Sequence, residues 1–139
     1  MSKTLLHRLF GFGKIPKRYA PTLHDEGIVL IDEGIGGSIT LKNFTAPGRR
    51  HSLKWSWFTG SLVLTEKTFA AFGFIRPLVY VPLAHERFSE LDYSVIDDNT
   101  LFITFDPSAF DERSSGAIEI RFKTPKARLF AECLAATAA

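Results

Sequence analysis

Residues 55–74, WSWFTGSLVLTEKTFAAFGF, hold two apolar runs separated by Thr65-Glu66-Lys67. Two strand-like runs flanking a short polar turn at hairpin spacing predict antiparallel pairing, with residues 68–75 returning against Leu62-Val63-Leu64. In the first run Trp55, Trp57 and Val63 alternate with Phe58, Leu62 and Leu64, which implies apolar contacts on both faces for part of its length. Trp55 and Trp57 are expected in the core or packed between strands. Gly60 marks a bend or bulge, since glycine weakens a strand unless the backbone must pass something closely.

The same period of two extends in both directions. Upstream, Ile28-Val29-Leu30-Ile31 and Ser38-Ile39-Thr40-Leu41 are rich in β-branched residues, with Gly34, Gly36 and Gly37 between them as bulge or turn candidates. Ala46-Pro47-Gly48 is a turn signal, because proline presets φ and glycine accepts positive φ. It separates these runs from a strand over residues 52–64. Downstream, Pro77 is expected to break the return strand, and Val79-Tyr80-Val81 forms a short strand closed by Pro82, placed at an edge or a sharp corner. Leu91, Tyr93 and Val95 alternate with polar residues up to the turn Asp97-Asp98-Asn99, followed by Leu101, Ile103 and Phe105. After a polar loop over residues 106–116, Ile118, Ile120 and Phe122 alternate with Glu119, Arg121 and Lys123. Thr124-Pro125 then starts a helix over residues 125–136, with threonine as cap and proline at the first helical position. Its apolar face carries Ala127, Phe130, Leu134 and Thr137.

The chain has 139 residues, 45% of them hydrophobic, which suffices for one domain with one sizeable core. Its formal net charge of +2 implies no polyanion, and no nucleic-acid partner is expected. The charge is unevenly spread, however. Residues 1–24 contain Lys3, Arg8, Lys14, Lys17 and Arg18 and no acid, leaving −3 for the rest. Residues 1–26 are therefore expected to be a basic arm, and residues 27–139 a folded domain. In the arm, Leu5, Leu6, Leu9 and Phe10 fall at helical spacings, and Gly11, Gly13 and Pro16 stop the pattern. A helix this short is marginal alone, so it docks on its own domain or inserts its apolar face into a membrane interface or a partner groove.

The one cysteine, Cys133, excludes an intrachain disulfide and fits a reducing cytosol as a packed thiol. No apolar run has signal-peptide or membrane-spanning length, so the expected location is cytoplasmic, with peripheral membrane attachment left open. His7, His24, His51 and His85 are scattered without metal-site spacing, and neither a cofactor nor a metal is expected. His85 and Glu86 are adjacent and would diverge on either a strand or a helix, which disfavours an acid–base pair. The chain is expected not to be an enzyme.

About seven short antiparallel strands followed by one amphipathic helix form a mainly β plan, a small barrel capped at one end by the helix. Phe69, Phe72, Phe74, Phe102 and Phe105 supply the bulk to fill it. In that order of elements, Gly60-Ser61-Leu62-Val63-Leu64-Thr65-Glu66-Lys67, Val81-Pro82-Leu83 and Ile118-Glu119-Ile120-Arg121-Phe122 resemble the pleckstrin-homology-like superfamily, and more closely its GRAM-like and bacterial PH-like branches. The resemblance implies two nearly orthogonal sheets and a non-catalytic binding module for phospholipid headgroups, membrane surfaces or proteins. It also places ligand contacts on the first two strands and their turn, here residues 42–54 with Lys42, Arg49, Arg50 and Lys54. A solvated basic hairpin is the alternative. An anionic membrane surface, met jointly by this turn and by Leu5, Leu6, Arg8, Leu9, Phe10, Lys14, Lys17 and Arg18, or a protein partner is the expected target. Peptide binding or self-association through an edge strand is the next reading, and a small apolar ligand carrier or enzyme the last.

Overall fold

The computed structural model describes residues 14–138. The expected helix around Leu5, Leu6, Arg8, Leu9 and Phe10 lies outside them. A short helix, α1 (Ala20–Asp25), precedes the strands β1 (Ile28–Ala46), β2 (Arg49–Thr65), β3 (Thr68–Gly73), β4 (Arg76–Pro82), β5 (Asp92–Ile96), β6 (Thr100–Phe105) and β7 (Ser115–Lys123), and α2 (Ala127–Ala138) follows. The seven strands form one antiparallel sheet in the order β4-β3-β2-β1-β7-β6-β5.

Two sheets were expected and one continuous sheet is found, because the central strands are far longer than the sequence pattern suggested. The two upstream runs form the single 19-residue strand β1, with register shifts between Ile28 and Leu30 and between Glu33 and Ile35. Such bulges let a strand bend and twist without ending. Gly34 occupies the second one with φ 71°, a conformation a side chain would strain. The glycine cluster therefore belongs to a bent strand rather than to a turn.

The hairpin expected around Thr65-Glu66-Lys67 forms, with Leu62, Val63 and Leu64 paired to Ala71, Ala70 and Phe69. Thr65 holds its turn: its hydroxyl oxygen accepts from the backbone N–H groups of Lys67 (3.1 Å) and Thr68 (2.9 Å) and donates to Glu26 Oε1 (2.7 Å). Pro77 does not break a strand but lies within β4, which is a sheet edge where a missing N–H is tolerated.

The main core lies on the face that carries α2. Leu62, Leu64, Phe69, Leu101, Ile103, Ile120 and Phe122 pack there with Ala127, Phe130 and Leu134 of the helix. Thr137, expected on that helix face, is exposed, and its hydroxyl donates to the Cys133 carbonyl at 2.9 Å. The helix begins two residues later than expected. Thr124 still caps it, accepting from the Lys126 N–H (3.1 Å) while donating to Asp32 Oδ2 of β1 at 2.6 Å. Phe130 is fully buried, so Phe130→Ala is expected to cost about 3–5 kcal/mol, read as a lower urea midpoint with an unchanged slope.

A second, smaller cluster occupies the opposite face of the sheet, called here the outer face. Ile15 and Leu23 cover Val63, Ala70 and Phe72, and Tyr19 stands 5.4 Å from the rings of both Phe72 and Tyr80. The described part of the arm thus packs on the domain. Phe72 belongs to this outer cluster rather than to a barrel interior, Phe74 is partly exposed at the sheet's edge hairpin, and Phe102 lies under the Arg121 guanidinium at 4.6 Å. Phe69 and Phe105 are the members of the expected filling set that enter the main core.

Candidate functional site

Strand alternation sorts the basic hairpin onto two faces. Pro47 and Gly48 are the residues of this segment that lie outside β1 and β2, so most of residues 42–54 is strand rather than turn. Lys54, opposite Leu41, and Ser56, opposite Ile39, lie toward the α2 face, whereas Lys42, Leu53, Trp55 and Trp57 point to the outer face. Arg49 lines the same groove as Lys54 although it is five positions away, because the alternation is interrupted near Asn43, which has φ 50° and lies at a register shift against β7.

On the α2 side, over one part of the main core, Arg49 and Lys54 line a groove of about 340 Å³. Leu41, Phe44 and Ile118 form its buried floor, and Phe74, Pro77 and Leu78 its far wall. Arg76 contributes a third cation from the start of β4. All three cations are exposed, and the Arg49 guanidinium lies 5.5 Å from the Phe44 ring centroid. Among the described residues, none of the three forms an ion pair. Apolar floor beneath unneutralised cations is chemistry suited to an anionic amphiphile.

Two of the four expected ligand residues therefore meet in one site. Arg50 lines a separate shallow recess with Asn43 and Thr45, and Lys42 donates to Glu119 Oε2 at 3.0 Å. Lys14, Lys17 and Arg18 are exposed on the described part of the arm, with Arg18 over the Tyr19 ring at 5.6 Å. Arg76 was missed by the sequence reading because it sits on another hairpin, 27 positions from Arg49.

The tip of that second hairpin is unusual. Gly73 pairs with Arg76, leaving Phe74 and Ile75 as a two-residue turn with φ 56° and 60°. Positive φ at both positions is the hairpin geometry for which Asn-Gly or Asp-Gly is preferred, and a β-branched residue there is strained. Asp97 and Asp98, with φ 53° and 61°, satisfy the β5–β6 turn with suitable residues. Phe74 and Ile75 do not, and they are 42% and 83% exposed. Phe74 is braced edge-on by Phe58 at 5.5 Å, and Phe58 in turn by Phe122 at 5.2 Å.

Elsewhere, His85 Nδ1 accepts from the Arg87 backbone N–H at 3.0 Å, and its ring lies edge-on to Phe110, so the imidazole shapes a loop. Arg87 then clamps Glu90, whose carboxyl is held below its usual range chiefly by that hydrogen bond. Among the described residues there is no cluster of three or more His, Cys, Asp or Glu that could hold a metal, and no helix is long and apolar enough to cross a membrane. No protein-family model matches the chain, and no curated protein matches it.

Proposed function

We propose that this protein is a non-catalytic binding module of pleckstrin-homology-like architecture that docks on anionic membrane surfaces from the cytoplasmic side. The observation that carries the reading is the Phe74-Ile75 tip, an exposed apolar pair held in a strained turn beside Arg49, Lys54 and Arg76. Strain of this kind persists only where the surrounding fold imposes it, and it concentrates at functional sites. An apolar tip gains free energy by entering the acyl boundary, and each nearby cation adds about 1 kcal/mol at an anionic surface. Seven antiparallel strands followed by a helix are the order of elements expected of that superfamily, and the assignment to it is part of the proposal.

Co-sedimentation with vesicles of neutral lipid, with and without phosphatidylserine, tests it. The intact chain is expected to pellet with anionic vesicles and to lose binding as salt rises, because exposed charges are screened beyond about 10 Å at 0.1 M. Arg49→Glu with Arg76→Glu removes two cations and adds two anions, an expected loss of about 4 kcal/mol, or roughly a thousandfold in affinity at low salt. Equal pelleting of the variant and the intact chain would refute the groove's role.

Self-association is the second reading, favoured by β4 being an unpaired sheet edge. Pro77 and Pro82 blunt that edge, which places it second. A concentration-dependent mass in light scattering would support it.

A further inference from the structure

Both tryptophans lie outside the core, against expectation. Leu53, Trp55 and Trp57 are 69%, 51% and 63% exposed along the outer face of β2, and the indoles pack edge-on at 4.4 Å. Core or inter-strand burial fails because the alternation that sends Phe58, Leu62 and Leu64 to the main core sends the tryptophans to the other face. On that face Lys42, opposite Leu53, is already paired with Glu119 at 3.0 Å. On the α2 side the charges are not so matched: Arg49, Lys54 and Arg76 border an apolar floor, and among the described residues none of them forms an ion pair.

The groove there owes its shape to hairpins of unequal length. β3 pairs with β2 only from Gly60 to Leu64, so the β1–β2 hairpin runs on past the β3–β4 hairpin toward its own turn. Where the shorter hairpin ends, the start of β4 supplies one wall with Arg76, Pro77 and Leu78, and β2 supplies the other with Lys54 and Ser56. Leu41 and Ile118, paired across β1 and β7, form the floor with Phe44. The cations thus come from two hairpins and border one volume rather than one strand face. At about 340 Å³ that volume lies at the small end of the roughly 300–1,000 Å³ that ligand sites span, which suits one chain rather than several. Arginine grips phosphate or carboxylate bidentately, and lysine adds a flexible donor. A small ion alone would leave the floor wet, and an uncharged chain alone would leave three cations without a partner.

We infer that the groove binds one anionic amphiphile as a single molecule, with its alkyl or acyl chain on Leu41, Phe44, Leu78 and Ile118 and its phosphate or carboxylate head held by Arg49, Lys54 and Arg76. The proposed ligand rests on the membrane reading and specifies what the same groove takes from an anionic surface. Ile75 at the apolar tip lies outside the groove's lining, so binding of the single molecule and docking on the bilayer are separable.

Titration calorimetry with decyl phosphate, kept below the concentration at which it forms micelles and without vesicles, makes the test. The intact chain is expected to bind one molecule. Inorganic phosphate, the head alone, and decanol, the chain alone, are expected to bind about a hundredfold more weakly or worse. Along a series of alkyl phosphates, affinity is expected to rise about fourfold per methylene until the groove is full and then to level off. Ser56→Phe puts a ring into the groove and leaves every charge in place, and it is expected to weaken decyl phosphate binding about tenfold or more. Arg49→Glu with Arg76→Glu, at two exposed positions, is expected to weaken it about a hundredfold or more, and this variant carries the test if Ser56→Phe does not fold. Inorganic phosphate that binds as tightly as decyl phosphate would overturn the inference. So would affinity that climbs with every added methylene without levelling, which is the behaviour of unspecific partition, or equal affinity in the intact chain and the folded variants. A chain that pellets with anionic vesicles but ignores decyl phosphate would overturn it too and leave the membrane reading standing. Decyl phosphate binding by a chain that does not pellet would support the groove's ligand and sink the membrane reading.

Discussion

Ile75→Gly is expected to make the protein more stable and worse at its task. Ile75 is 83% exposed with φ 60°, so its removal forfeits almost no packing while it releases a β-branched residue from left-handed geometry. Glycine adopts that conformation without the Cβ clash, and the relief is worth about 1–2 kcal/mol. For a chain of this length that corresponds to a rise of roughly 3–8 °C in Tm, measured by circular dichroism or calorimetry. Membrane affinity moves the other way. A fully buried isoleucine side chain contributes about 2 kcal/mol, so vesicle binding is expected to weaken about thirtyfold. The two readouts separate the two parts of the reading. A lower Tm would show that the turn is not strained, whereas unchanged vesicle affinity would show that the tip does not insert. Together the expected changes form a stability–function trade-off located in one side chain.

Gly60→Ala is expected to be the most damaging single methyl in the sheet. A Cβ at Gly60 would stand 1.9 Å from the Phe72 carbonyl oxygen and 3.2 Å from the Phe58 ring. The oxygen belongs to the backbone of β3, so the methyl cannot enter unless β2 and β3 part. That separation disrupts pairing around Ser61–Phe72 and the bracing of Phe58 between Phe74 and Phe122. The expected cost is about 3–5 kcal/mol, a large fraction of the stability of an ordinary domain, read as a fall in the urea midpoint or loss of soluble folded protein. Gly48→Ala is the control. Nothing lies within 4 Å of its Cβ position, and only its φ of +75° opposes a side chain, so about 1 kcal/mol is expected. Similar losses at the two positions would mean that the close approach at Gly60 is not what requires glycine there.

The groove and its tip link these predictions to the hairpin plan. Phe58 is the shared element: it packs under the strained turn on one side and against the main core on the other. Variants that loosen β2 therefore also release Phe74, and their lipid binding should be compared only between folded proteins of matched stability.

Local chemistry made much of this architecture legible. The Thr65-Glu66-Lys67 hairpin, the Pro47-Gly48 and Asp97-Asp98-Asn99 turns, the edge position of β4, the alternation of β7 and the helix started by Thr124 follow from residues close in sequence, whose backbone preferences and periodicity act over a few positions. Mainly β order with a terminal helix was determined by those signals. Long-range packing decided the rest. Whether β1 broke or bent at its glycines depended on pairing with both β2 and β7. Burial of Phe58 and exposure of Trp55 and Trp57 depended on which face of β2 received the core, a choice periodicity leaves symmetrical because it has no sign. Arg76 joined Arg49 and Lys54 only when separate hairpins were brought to one groove, while pairing with Glu119 placed Lys42 elsewhere. By itself the sequence determined which residues alternate and where the chain turns. Only the tertiary structure decided which side of each strand meets the core, because that depends on contacts between segments far apart in the chain.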